Sequence, residues 1–168
     1  AGGPGVQRWL KFAKYLPEFN ISPVLFVPEN ANYPINDNSL KSEVSNDLEI
    51  IKLPIFELSN FFPSLKSLNS IRSGNISKNK NQSILQKVVF FIRGNFFIPD
   101  MKIFWKRNSV NFLKNYLSEN NIETIITTGP PHSIHLIGLE LKRKLNINWI
   151  SDFRDPWVNL NYLNRFHL

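Results

Sequence analysis

"ETIITTGPPHSIHLIGLELKRKLNINWISDF", residues 123–153, changes its apolar rhythm twice, and those changes decide the fold. "ETIITT" (123–128) is a run of β-branched residues and reads as a strand. "GPP" (129–131) is a tight loop, and one of its two prolines is a candidate for the cis form. From 132 to 145, Ile134, Ile137, Gly138, Leu141 and Leu145 recur at helical spacing on one side. "NWISDF" (148–153) returns to a strand. Strand, short loop, helix and strand within roughly thirty residues make a βαβ unit, whose two strands should run parallel. The fold class expected is therefore α/β.

The same reading extends towards the amino end. Residues 5–16 form a helix with Val6, Trp9, Leu10, Ala13 and Leu16 on one face, stopped by Pro17. "ISPVLFVP" (21–28) and "EIIKLP" (49–54) are strands, separated by an Asn-rich loop over 29–47. Residues 57–82 are ambiguous; Phe61, Phe62, Leu65 and Leu68 would line a helix, and "SGNISKNKNQS" (73–83) has linker composition. The chain is helical from Ile84 until Gly94. Pro99 and Asp100 then open a long helix to about Asn120, with Val110, Leu113 and Leu117 on one face.

The 168 residues carry 42% hydrophobic and 20% charged side chains, as one ordinary globular domain would. No cysteine is present, which excludes disulfides and thiolate metal sites and fits a reducing, cytoplasmic location. The net charge of +7 favours acidic partners, although surplus lysine also serves plain solvation. No apolar run reaches the roughly 18 residues of a membrane span. The chain opens on "AGGPGVQRW" with a glycine-rich loop, the kind that normally follows a strand. That suggests a first strand lost ahead of it.

In open parallel sheets, ligands bind beyond the carboxyl ends of the strands. Three segments fall there: 1–5, 127–132 and 152–157. Gly2, Gly3 and Gly5 let backbone N–H groups approach an anion at a helix start, or simply make a turn. Thr128, Gly129 and His132 sit at a strand-to-helix junction, where a histidine can hydrogen-bond a sugar hydroxyl or phosphate. A structural reading makes the same loop a cap. His135 lies three residues further on, but a two-histidine metal site lacks a third ligand, so no metal is expected. Arg154 can meet a phosphate bidentately while Asp155 holds sugar hydroxyls; alternatively the two pair and pin the loop. Asp152 is placed to cap neighbouring N–H groups, with Pro156 and Trp157 fixing the exit. Residues 84–107 interleave Phe90, Phe91, Phe96, Phe97, Phe104 and Trp105 with Lys87, Arg93, Lys102, Lys106 and Arg107. This is a core with a solvated rim, or a face lying on an anionic membrane surface. No nucleic-acid motif accompanies these charges, so nucleic acid is not an expected partner.

"AGGPGVQRWLKFAKYL", "RGNFFIPDMKIFW", "TTGPPHSIHLIGLELKRKL" and "WISDFRDPW" together resemble the N-terminal domain of family 4 type glycosyltransferases, also called glycosyl transferase group 1. The resemblance touches most of the chain outside about 29–83. It implies a Rossmann-like parallel sheet with helices on both faces, one half of a two-domain GT-B architecture. In that architecture this half mainly holds the acceptor and the other half the nucleotide-sugar donor. The implied activity is retaining sugar transfer, without cofactor or metal, to a glycan or lipid-linked acceptor in surface polysaccharide or glycolipid synthesis. By the same likeness Gly2 and Gly3 match the glycine loop near the donor phosphates, His132 a histidine beside the donor sugar, and Arg154 and Asp155 the "DFRDPW" loop. The family's first strand and its donor domain are absent from the sequence. Residues 1–168 are therefore expected to behave as one incomplete domain, marginally stable and inactive alone. The expected location is cytoplasmic, peripheral at the inner face of the membrane. Rival readings are a sugar-nucleotide epimerase on the same architecture, and a non-catalytic basic module that binds membrane or nucleic acid.

Overall fold

The computed structural model describes residues 4–29, 31, 37–56, 91, 95 and 97–154. The expectations for 57–83, for most of 84–96, for Gly2 and Gly3, and for Asp155, Pro156 and Trp157 fall outside them. The chain divides into two compact units, Ala1–Ile55 and Phe56–Leu168.

The first unit begins with α1 (Pro4–Tyr15), which has proline at its first position, where the missing N–H costs nothing. Leu10 and Ala13 form its buried stripe, whereas Val6, expected on that stripe, is exposed. Pro17 does not simply end the helix. The chain tightens into a 3-10 turn over Leu16–Phe19 and closes on left-handed Asn20 (φ 59°). The N–H groups of Asn20 and Ile21 bond back to the carbonyls of Pro17 and Leu16. Strands β1 (Val24–Pro28) and β2 (Glu49–Leu53) then pair in parallel, Val24 opposite Glu49 and Pro28 opposite Leu53. Between them, the expected loop includes a 3-10 turn, Ser39–Glu43. It starts where the Asp37 carboxylate accepts the Ser39 N–H and hydroxyl. Lys11 of α1 pairs with Glu43 of that turn.

The second unit contains the expected βαβ unit. Helix α2 (Trp105–Glu119) precedes β3 (Thr124–Gly129), α3 (Ser133–Leu145) and β4 (Asn148–Phe153). β3 and β4 are parallel, in register from Thr124 opposite Asn148 to Gly129 opposite Phe153. α3 lies against both strands and against α2. Gly138 permits the close approach to β4, since a Cβ there would fall 2.3 Å from Trp149 Nε1. Val110 and Leu117 of α2 and Ile137 and Leu141 of α3 are buried in this core. Glu140 on α3 bridges Lys106 on α2 (2.6 Å) and Lys144 one turn on (2.8 Å).

Two expectations about helix ends need correcting. α2 starts at Trp105, not at Asp100, because the Asp100 carboxylate is committed elsewhere. It accepts the Lys102 N–H (2.8 Å) and two groups of Ser133, and residues 101–104 form turns. The inward face of α3 holds Ser133 and His135 as well as Ile137, Gly138 and Leu141, while Ile134 is only half-buried. The class is α/β: helices with parallel strands, in two separate two-stranded sheets. Among the described residues no helix is long and apolar enough to cross a membrane.

Candidate functional site

Alternation along β3 and β4 distributes the polar groups. Side chains of a strand point to opposite faces in turn. Thr127 and Trp149 turn towards α3; Thr128 and Asp152, opposite each other in register, turn away from it. The Thr128 hydroxyl donates to Asp152 Oδ2 at 2.7 Å. At the carboxyl ends of these strands the chain makes the loop 129–132. Both Gly129–Pro130 and Pro130–Pro131 are cis, where one such bond was expected.

Two charges from outside the loop hold it. Arg154, just past β4, donates from Nε to the Gly129 carbonyl (3.0 Å) and from Nη2 to the Pro130 carbonyl (3.1 Å). Its backbone N–H adds a 3.3 Å bond to Gly129 O. Among the described residues Nη1 has no hydrogen-bond partner. From the other side Asp100 caps α3, accepting the Ser133 N–H on Oδ2 and the Ser133 hydroxyl on Oδ1, both at 2.8 Å. A helix start favours a negative group, and here the protein itself supplies it. Burial pulls the ammonium of nearby Lys102 down to about 8. Lys102 is thus half-buried rather than part of a solvated cationic face, and Trp105 beside it is buried, while Phe104 is exposed.

His132 is 7% exposed and belongs to a cluster of rings. Its centroid lies 5.8 Å from Phe153 and 5.9 Å from His135, and His135 lies 4.0 Å from Phe153. His135 is 3% exposed. Its Nδ1 is 2.8 Å from Thr127 Oγ1, which also accepts the Trp149 indole N–H at 2.9 Å. Among the described residues its Nε2 has no hydrogen-bond partner. Burial, and then the adjacent His132, hold the His135 pKa below the usual histidine value, against a smaller upward pull from Asp152 and Asp100. A Cβ on Gly129 would lie 2.6 Å from His135 Nε2 and 3.0 Å from His132 Nδ1. Glycine at 129 is what lets both imidazoles close on the loop.

Thr128, Gly129, His132, Asp152 and Arg154 therefore meet at one rim, as the strand-end rule predicts. Gly5 lies in the first unit as a residue of α1. Asp100 and Trp149 were not singled out as site residues from the sequence; Thr127 entered only within the segment 127–132, and His135 only as a metal ligand weighed and set aside. The available signal for Thr127 and Trp149 was strand parity, which puts both on the helix-facing side. None existed for Asp100, whose partner is 33 residues away. Among the described residues no group of three or more His, Asp or Glu could hold a metal ion. The rim offers a hydroxyl, a carboxylate and a guanidinium edge, a set able to hold polyhydroxyl and anionic groups. Comparison with known proteins finds no matching family model, no matching curated protein and no matching solved structure.

Proposed function

We propose that this chain is the acceptor-side part of a retaining, nucleotide-sugar-dependent glycosyltransferase that delivers its sugar to a glycan or a lipid-linked acceptor. The observation that carries the reading is the convergence of Thr128, Asp152 and Arg154 on one rim at the carboxyl ends of two parallel strands. On this reading the strands belong to a Rossmann-like sheet in half of a GT-B pair. In the transfer, the bond from the anomeric carbon to the donor diphosphate breaks with its electron pair on the diphosphate, a bond to the acceptor hydroxyl oxygen forms, and the hydroxyl proton passes to the departing diphosphate. Negative charge then grows on the departing diphosphate. The Nη1 edge of Arg154 supplies fixed positive charge there, and the Thr128–Asp152 pair orients sugar hydroxyls.

The test supplies labelled nucleotide sugars and membrane-lipid acceptors to the complete reading frame that carries this chain. Donor-dependent transfer with the anomeric configuration kept is expected. Arg154→Ala should lower it at least about tenfold, about 1.4 kcal/mol in the barrier. Lys114→Ala, exposed on α2, should leave it unchanged. Isomerised donor without transfer would assign the epimerase reading. Inert donors, with salt-sensitive binding to vesicles or DNA, would assign the basic module.

A further inference from the structure

Trp149, Thr127 and His135 form a buried polar chain across β4, β3 and α3. Its proton positions follow from counting donors and acceptors. An indole N–H only donates, so Thr127 Oγ1 accepts from Trp149. Thr127 is 6% exposed, and among the described residues His135 Nδ1 is the one acceptor its hydroxyl proton can reach.

Two arrangements remain. If Nδ1 carried the proton, Thr127 would accept twice. Its own O–H would then lack an acceptor, and the bare Nε2 of His135 would lack a donor: two buried polar groups unmet. If the Thr127 hydroxyl donates to Nδ1, only the Nε2–H is unmet. Each unmet buried group is costly, so the second arrangement wins. We infer that the Trp149–Thr127 pair locks His135 as the neutral Nε2–H tautomer and makes it the positioning residue of loop 129–132. The Nε2–H edge is turned onto Gly129, where no Cβ intervenes, beneath the ring of Phe153. The imidazole thereby sets the height of the loop whose carbonyls Arg154 holds from the other side. Its bearing on sugar transfer rests on the function proposed above; the tautomer does not.

The test is nitrogen NMR of the whole chain with 15N-labelled histidine at pH 7.5. His135 is assigned by the signals lost in His135→Gln. The expected result for the wild type is one tautomer at His135, Nδ1 bare and Nε2 protonated. Trp149→Phe removes the indole donor and with it the difference between the two arrangements, so the Nδ1–H form should gain population. Thr127→Val should release the ring to a mixture and move the amide signals of Gly129 and Ser133. A protonated Nδ1, or an even mixture in the wild type, overturns the inference whether or not either variant folds. Loss of sugar transfer with the tautomer intact would count against the proposed function alone.

Discussion

At the scale of single residues, the site depends on what is missing at Gly129 and on what is neutral at His135. A Cβ at 129 would sit 2.6 Å from His135 Nε2, inside contact distance, with a ring that packing on Phe153 prevents from retreating. Gly129→Ala should destabilise the chain by about 1–3 kcal/mol, the usual cost of overpacking, as read from urea unfolding. His135 has its folded pKa below the unfolded value near 6.5. The unfolded chain therefore binds the proton more readily, and stability rises with pH. The contribution is whole above about 6.5 and is lost as pH falls below it towards the depressed folded value. Thr127 on β3, Phe153 on β4 and the neighbouring His132 face the ring, and the carboxylates of Asp152 and Asp100 act on it through their charge. The carboxylates soften the loss but do not reverse it, because burial is the largest cause. Unfolding curves between pH 5 and 7.5 should show the slope, and His135→Gln should flatten it.

At the scale of elements, helix ends decide more than helix interiors. Asn20, Asn121 and Asn146, all left-handed, follow the 3-10 turn, α2 and α3. Asparagine tolerates that conformation better than most residues, so it closes these helices where glycine often would. Reading Pro17 as the stop for the first helix therefore missed both the 3-10 turn and its closing residue. The N-terminus of α3 is capped from a distance by Asp100, and Asp100→Ala should cost about 0.5–2 kcal/mol, the range for a lost N-cap. The loss should appear as faster amide exchange at Ser133 and Ile134, with α2 unaffected. Glu140 joins α2 to α3, and hydrogen bonds from Lys106 and then Lys144 pull its carboxyl down to about 2. A depressed carboxylate stabilises above its unfolded pKa. Its contribution is therefore lost as pH falls from about 4.5 to about 2. Because the pair is partly exposed, the loss should be small and salt-sensitive, and Glu140→Gln should remove it.

At the scale of the whole molecule, the sequence disclosed what repeats locally. The βαβ unit over 123–153 emerged at nearly the expected boundaries because its strands are β-branched and its helix keeps a clear apolar period. The rim residues Thr128, Asp152 and Arg154 followed from the strand-end rule alone. Asp100 capping Ser133, and Trp149 reaching Thr127, are long-range contacts with no periodic signature, so they were invisible until the elements were placed. With Thr127 and Trp149 turned to α3, Ile126 and Ile150 share the opposite face; they are register partners and are 44% and 53% exposed. Parallel sheets are normally covered on both faces. An aliphatic pair left in water on a two-stranded sheet invites association between copies. Replacing both with threonine keeps β propensity and removes little burial, so stability should change by no more than about 0.5 kcal/mol per site. Light scattering at rising concentration should then show less self-association than for the unsubstituted chain. If the substitutions instead cost several kcal/mol without changing association, Ile126 and Ile150 are packed against something in solution, and this face is a structural interface rather than open surface.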